Sequence, residues 1–296
     1  MKIKKLISAL VLGSMLVGLS GCNITDFSAE NLLRPPKAVG DEAEIEQLIA
    51  KTADSGYTLK YPKNGKFRSA IIMTDLDGND SNEAVAFFRN SVETSSVHML
   101  VMYSKDNSWK IASDNIFETT DIDSVDFADL TGNGKAEIIV NSTTYTPNVG
   151  KLSCYSYSEG KTNEVGSGQS CSSFVTGDFD NDGTSEIMSL VLYTTENEAL
   201  ASMLDYNEDS KSLYAKAMAN MDPNVVKYKN IAVTKLDNDI TGIVVDGTSA
   251  NEVTNTQVIF YSRDLAILRN PLFKEKAKNI TCLLYTSPSP RDPKTS

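Results

Sequence analysis

One short segment, residues 177–187 (GDFDNDGTSEI), crowds carboxylates into what reads as a single turn. Counted from Asp178 as position 1, its oxygen donors fall at positions 1, 3, 5, 7 and 9: Asp178, Asp180, Asp182, Thr184 (through its backbone carbonyl) and Glu186. Hard oxygen ligands on a flexible loop suit Ca²⁺, which takes about six to eight of them. Because the carboxylates would otherwise repel one another, the pattern predicts a calcium loop, here named loop 3. We expect a structural calcium, with no oppositely charged side chain over this loop.

Two earlier segments repeat the pattern. Loop 1 offers Asp75, Asp77, Asn79, Ser81 (carbonyl) and Glu83, and loop 2 offers Asp129, Thr131, Asn133, Lys135 (carbonyl) and Glu137. Loop 1 has Asp80 at position 6, where the others have Gly, but Asp also adopts left-handed conformations. Loop 2 carries only two acids, and each loop could instead be a tight hairpin without metal. A fourth copy begins with Lys235 and lacks the final acid, so we expect it not to bind.

The copies recur along the chain at offsets of 54, 49 and 57 residues. Short β-like runs such as HMLVMYS and KLSCYSY lie between them, so each unit offers about four strands. A period of about 50 residues with four strands is typical of a propeller blade. The sequence therefore predicts an all-β protein with about four blades over residues 57–281, preceded by a short helix over residues 41–56.

The loops differ from an EF-hand, which needs flanking helices and a Glu at position 12. Position 12 is occupied by Ala86, Val140 and Ser189 in the three loops, and the flanks are β-like. The pattern D-x-D-x-D-G-x-x-[DE] between strands resembles the FG-GAP/VCBS repeats of integrin-like β-propellers. That resemblance implies Ca²⁺ as the bound ion and a propeller fold. Relatives commonly form larger rings than the about four blades visible here, which implies a truncated ring.

The N-terminus has the features of an export signal. A basic start, an apolar stretch from Leu6 to Leu19 and small residues before Cys22 predict a signal peptide over residues 1–21. The segment LSGC resembles a bacterial lipobox, which implies lipidation of Cys22 and anchoring at the extracytoplasmic face of the cell membrane. Residues 22–40, with two adjacent prolines, read as a tether. The alternative is an ordinary signal peptide in which Cys22 is incidental.

The last residues, 282–296 (CLLYTSPSPRDPKTS), have a different character from the rest of the chain. Cys282 to Asp292 match the translation of a transposon-based sequencing adapter, so we expect this tail to be non-native and the natural sequence to diverge after Thr281. The alternative is a genuine Pro-rich tail.

Composition excludes some functions and leaves others open. With 28 basic against 39 acidic residues and a net charge of −11, the chain is not expected to bind nucleic acid. The one histidine, His98, begins a strand-like run and is expected to have a structural or solvent-edge role, and no common catalytic motif is present. We therefore expect a binding, adhesion or scaffold module for an unknown protein or polysaccharide. The alternative is a carbohydrate-active envelope enzyme whose catalytic part lies in a missing C-terminal region.

Two further cysteines, Cys154 and Cys171, precede the tail. Exported proteins tolerate disulfides, and the spacing would let a bridge close a modest loop. They could equally be free thiols on half-buried strands, and the sequence leaves both possibilities open.

Overall fold

The computed structural model describes residues 40–268, except 55, 238 and 239. The predicted signal peptide, Cys22, most of the tether, the tail with Cys282 and the turn of the fourth copy lie outside the described residues. The chain divides into two compact units, residues 1–43 and 44–296, and only the start of a helix is described in the first. Everything below concerns the second unit, apart from the bounds of that helix.

A short amphipathic helix precedes the strands, as the sequence predicts. Helix α1 spans Asp41–Ala53 and buries Ile45, Ile49 and Ala53 on one face. It is shorter than the predicted segment, because Asp54 leaves the helical conformation with φ of 58°. The spacing of the buried residues matches the helical period of about 3.6 residues, so this face of the helix is the one that packs.

The rest of the described chain forms four antiparallel sheets, which confirms the all-β prediction. Sheet 1 contains β1 (Tyr57–Leu59), β2 (Ile71–Thr74), β3 (Glu83–Asn90), β4 (Val97–Lys105) and β5 (Ser108–Phe117). Sheet 2 contains β6 (Ile122–Ala128), β7 (Glu137–Thr143), β8 (Gly150–Ser158) and β9 (Lys161–Cys171). Sheet 3 contains β10 (Ser173–Gly177), β11 (Glu186–Tyr193), β12 (Glu198–Asn207) and β13 (Ser212–Asn220). Sheet 4 contains β14 (Val225–Asp237), β15 (Ile240–Ser249), β16 (Thr254–Tyr261) and β17 (Leu265–Leu268).

Each sheet is a meander in which consecutive strands pair. In sheet 1 the first position is shared, because β1 and β2 both pair with β3, at its two ends. Three of the four sheets place an acidic loop between their first long pair of strands, at the ends of β2, β6 and β10. The repeat read from the sequence is therefore a repeat of sheets.

The sheets pack face to face in chain order, so their central strands are buried on both faces. In β3, Val85 and Phe87 belong to the apolar cluster shared with sheet 2, whereas Ala84, Ala86 and Phe88 pack against helix α1. Further clusters join sheet 2 to sheet 3 and sheet 3 to sheet 4. Burial on both faces explains why β3, β7 and β11 are nearly continuous apolar runs and do not alternate.

The stacking brings the acidic loops of neighbouring sheets together. The first strands of sheets 2, 3 and 4 contact one another in sequence. The Ala136 N–H in loop 2 donates to the Leu76 carbonyl in loop 1 at 3.0 Å, and the Ser185 N–H in loop 3 donates to the Asp129 carbonyl in loop 2 at 2.9 Å. The three loops therefore form a continuous row along one edge of the stack.

Candidate metal centre

The first aspartate of each loop organises the turn through backbone hydrogen bonds. Asp75 accepts the N–H groups of Gly78, Asn79 and Asp80 at 2.8, 3.2 and 2.9 Å. In loop 2 the equivalent Asp129 accepts the N–H of Gly134 at 2.8 Å, and in loop 3 Asp178 accepts that of Gly183 at 3.3 Å. Bonds of this kind let Asp hold a turn that begins at its own position.

The chain takes the left-handed conformation twice in every loop, at positions 4 and 6. The residues concerned are Gly78, Asp80, Gly132, Gly134, Asn181 and Gly183, with φ between 61° and 94°. Asp80 adopts it with φ of 65°, as its side chain permits. The sequence predicts this conformation at position 6, and its occurrence at position 4 is an additional finding of the structure. Two such residues curl the loop so that alternate side chains turn inward.

The glutamate at position 9 is buried and ties the end of each loop to its beginning. Glu83, Glu137 and Glu186 are at most 3% exposed. Each accepts the N–H of position 2: Leu76 at 2.8 Å, Leu130 at 2.8 Å and Phe179 at 2.7 Å. The position-2 side chains are themselves buried. An apolar residue at position 2 of all three loops was the available sequence signal for this anchor.

Loop 3 gathers four carboxylates around one point. One oxygen each from Asp178, Asp180, Asp182 and Glu186 lies within 4.8 Å of the others. In the described part of the chain, Oδ1 of Asp178 and Oε1 of Glu186 are buried without a hydrogen-bond partner. Burial raises the pKa of Glu186 to about 8, aided by the nearby charges of Asp180 and Asp182 and opposed by the Phe179 N–H.

Such unpaired buried oxygens are costly unless something compensates them. The donor set of loop 3, all hard oxygen, fits a divalent cation such as Ca²⁺. The hydroxyl and N–H of Thr184 both donate to Oδ1 of Asp182, which fixes position 7 beside the cluster. Thr184 at position 7 is therefore held next to Asp182, one of the four carboxylates of the cluster.

Loop 1 gathers three carboxylates in the same way. Oxygens of Asp75, Asp77 and Glu83 lie within 4.8 Å of one another, and Oδ1 of Asp77 is buried without a partner among the described residues. Asn79 accepts the Ser81 N–H at 2.7 Å. The cluster opens into a cavity of about 380 Å³. Burial raises the pKa of Glu83 against the Leu76 hydrogen bond. This donor set also fits a divalent cation.

In loop 2 the acidic side chains have more hydrogen-bond partners within the protein. The Thr131 hydroxyl donates to Oε1 of Glu137 at 3.3 Å, so both oxygens of this glutamate have protein partners. Asn133 accepts the Lys135 N–H at 2.9 Å. Burial raises the pKa of Glu137 to about 7. With only Asp129 and Glu137 as acids, loop 2 has the shape of the other loops and a smaller need for a cation.

A lysine lies over loop 3, contrary to the expectation that no opposite charge would do so. Lys216 of β13 contacts Oδ2 of Asp180, and its Nζ lies 2.8 Å from Oδ2 of Asp205 in β12. These hydrogen bonds raise the pKa of Lys216 despite the opposing effect of burial. The expectation failed because Lys216 is distant from the loop in sequence and reaches it through strand pairing.

The two cysteines that precede the tail are packed in the protein interior. Cys154 and Cys171 are free, buried thiols. Strand pairing sets Cys154 opposite Gly166 and Cys171 opposite Gly150, so the two lie apart along the β8–β9 pair. Burial raises the pKa of both thiols, to about 12 for Cys171. Between a disulfide and two free thiols, the structure therefore has the free thiols.

His98 is buried within sheet 1. Its Nδ1 lies 2.9 Å from Oδ1 of Asp114 on the paired strand, and its ring stacks on Phe88 with centroids 4.8 Å apart. The ring thus fills a packing position and is held by a cross-strand partner. This is the structural setting expected for it.

A groove of about 690 Å³ runs along the N-terminal halves of β6, β10 and β14, whereas loops 2 and 3 follow the C-terminal ends of β6 and β10. Its lining mixes charge, hydroxyl groups and aromatic rings. Asp126 accepts hydrogen bonds from Lys66 and Thr176 at 3.3 and 3.0 Å, and Phe174 and Tyr228 also line it. The groove is a candidate ligand surface separate from the acidic loops.

Comparison of the chain with protein-family models and with curated proteins finds no match in either. Within the described range, no helix combines the length and apolar content that crossing a bilayer requires.

Proposed function

We propose that this chain is a calcium-stabilised binding module built from propeller-like blades, of the kind that FG-GAP/VCBS repeats form. The observation that carries the proposal is the buried, unpartnered Oε1 of Glu186 within a cluster of four carboxylates. A cation at this point would supply the missing partner and neutralise the mutual repulsion of the acids. Loop 1 repeats the arrangement with the unpartnered Oδ1 of Asp77.

The packing of the sheets supports blades arranged as in a propeller. Antiparallel sheets of four or five strands stack in chain order, and the first strands of sheets 2 to 4 adjoin. In a closed propeller the last blade packs against the first. Here helix α1 covers the face of sheet 1 that points away from sheet 2. A closing blade would have to displace the helix from that face. We therefore propose an arc of blades that begins at a capping helix.

The proposed setting is the extracytoplasmic face of a bacterial membrane, with a lipid on Cys22 as the anchor. The lipobox resemblance implies a diacylglyceryl group on this cysteine, and more than one acyl chain is needed because a single chain holds a protein at a membrane only marginally. The calcium loops would then keep a rigid scaffold in an environment where free calcium is available. The groove along β6, β10 and β14 is the proposed contact surface for a protein or polysaccharide ligand, because hydroxyl, charged and aromatic groups converge there.

The proposal is tested by thermal unfolding with calcium and with chelator. A cation that binds only the folded state stabilises it by RT ln(1 + [Ca²⁺]/Kd), about 2.7 kcal/mol at a hundredfold excess over Kd. The variant Asp182→Ala removes a cluster carboxylate that is solvent-exposed, so it should lose the part of the calcium gain that loop 3 supplies. Asp209→Ala, an exposed acid in a plain turn of the same sheet, is the matched control and should keep the full gain.

Equal melting temperatures of the unmodified protein in calcium and in chelator would refute the calcium role. Equal losses in Asp182→Ala and Asp209→Ala would refute loop 3 as the site. Magnesium in place of calcium tests the choice of ion, since Mg²⁺ demands near-ideal octahedral geometry and should stabilise less.

A further inference from the structure

Lys216 occupies an irregular position in sheet 3. In the β12–β13 pair, Met203 faces Ala217 and Leu204 faces Ala215, so Lys216 is the extra residue of a β-bulge. A bulge interrupts the alternation of side chains and can re-aim one of them. Here the re-aimed side chain reaches back across the sheet to loop 3.

The same bulge recurs in the two preceding sheets, which allows a direct comparison. In sheet 1 the extra residue is Ala112, between the partners of Val101 and Met102. In sheet 2 it is Val165, between the partners of Cys154 and Tyr155. Both are apolar and pack in inter-sheet clusters. Of these three bulges, only the one in sheet 3 carries a lysine, and loop 3 of that sheet has the largest carboxylate cluster.

Lys216 has two anionic partners, and only one belongs to the loop. Asp180 is a member of the cluster, whereas Asp205 lies on β12 and accepts a further hydrogen bond from the Tyr214 hydroxyl at 3.3 Å. The positions equivalent to Asp205 are Tyr103 in sheet 1 and Ser156 in sheet 2. The side chains of Asp180 and Asp205 are 9% and 12% exposed, so water screens these ion pairs only partly.

We propose that Lys216 is a built-in counter-ion that sets the calcium affinity of loop 3. In the metal-free protein its ammonium group neutralises Asp180. When a cation enters, Asp180 turns to the cation, and Asp205 retains the displaced ammonium. The inference rests on the proposed function, namely that loop 3 binds calcium.

The consequence is a weaker site than the four carboxylates alone would make. The cation must break the contact between Lys216 and Asp180 and then bind beside a positive charge, and both effects oppose binding. Removing the ammonium should therefore tighten calcium binding, and removing Asp205 should weaken it, because Lys216 then has only Asp180 as a carboxylate partner. A role in packing alone would not produce changes of opposite sign.

The test is calorimetric titration of the full chain with calcium, with the heat of loop 3 assigned as that lost in Asp182→Ala. Lys216→Met keeps the length of the side chain and should lower the Kd of loop 3 by about tenfold or more. Asp205→Asn should raise this Kd several-fold. Lys211→Met removes an exposed lysine from the turn between β12 and β13 and should leave the Kd of loop 3 unchanged.

Unchanged or weaker binding in Lys216→Met overturns the inference, while calcium binding itself stands. If Lys216→Met does not fold, an unchanged Kd in Asp205→Asn overturns the inference in its place. If Asp182→Ala removes no calcium heat, loop 3 is not a calcium site, and this inference fails together with the loop 3 part of the proposed function. A tighter Kd in Lys216→Met together with a weaker one in Asp205→Asn supports it.

Discussion

Replacing Glu186 by glutamine separates the structural role of this side chain from its charge. The carbonyl of glutamine can still accept the Phe179 N–H, which Glu186 accepts at 2.7 Å. The substitution removes the buried charge whose pKa is raised from 4.5 to about 8. Without calcium we therefore expect Glu186→Gln to be as stable as the unmodified protein at low pH and more stable at high pH.

The sign of this pH dependence follows from the upward shift of the Glu186 pKa. A carboxyl whose pKa is higher in the folded protein favours folding fully below 4.5, and this contribution is lost as the pH rises through about 8. At about pH 9 the ionised side chain should cost the metal-free protein on the order of 4 kcal/mol relative to pH 4. For a protein of this size, that corresponds to a difference in Tm of roughly 10 °C.

Calcium should narrow the difference in stability between the two proteins at high pH. A cation in loop 3 supplies the positive counter-charge that ionised Glu186 lacks, and it stabilises the unmodified protein by about 2.7 kcal/mol at a hundredfold excess over Kd. Glu186→Gln offers a neutral ligand in the same place. It should therefore lose most of the calcium stabilisation that loop 3 supplies and keep the stabilisation that loop 1 supplies.

The assay is Tm measured from about pH 5 to about pH 9, with calcium and with chelator, for both proteins. The reasoning is refuted if Glu186→Gln keeps the whole calcium gain, since Glu186 would then not be part of the site. It is also refuted if chelator-treated Glu186→Gln is less stable than the unmodified protein at high pH, because the buried charge would then be stabilising.

Two further predictions concern the row of loops and the membrane anchor. Gly132→Ala should destabilise the protein by about 1–3 kcal/mol in chemical denaturation, because residue 132 has φ of 69° and an added Cβ would lie 2.6 Å from Cγ2 of Thr184 in the next loop. A stability equal to that of the unmodified protein would mean that loops 2 and 3 are not in firm contact. Cys22→Ser should release the protein from the membrane fraction or leave its signal uncleaved; a processed, membrane-bound variant would exclude lipidation at this residue.

Much of this protein could be predicted from local sequence alone. Loop ligands at alternate positions, apolar runs bounded by turns and the helical spacing of Ile45 and Ile49 are all relations between residues close in the chain. Local hydrogen bonding and side-chain alternation control such features, so the all-β class, the repeated unit and the helix followed directly. The contribution of Asp80 to a left-handed turn was predictable for the same reason.

The packing of the sheets determined features of the site that local sequence patterns do not predict. It buried the position-9 glutamates, so that burial raises the pKa of Glu186 to about 8, and it set Gly132 against Thr184 of the neighbouring loop. Strand register within sheet 2 left Cys154 and Cys171 as separate thiols. Lys216 depends on strand register as well, because a single extra residue in β13 turns its ammonium group toward Asp180. Burial and register are set by contacts between distant segments, and the charge balance of loop 3 therefore depends on the tertiary structure.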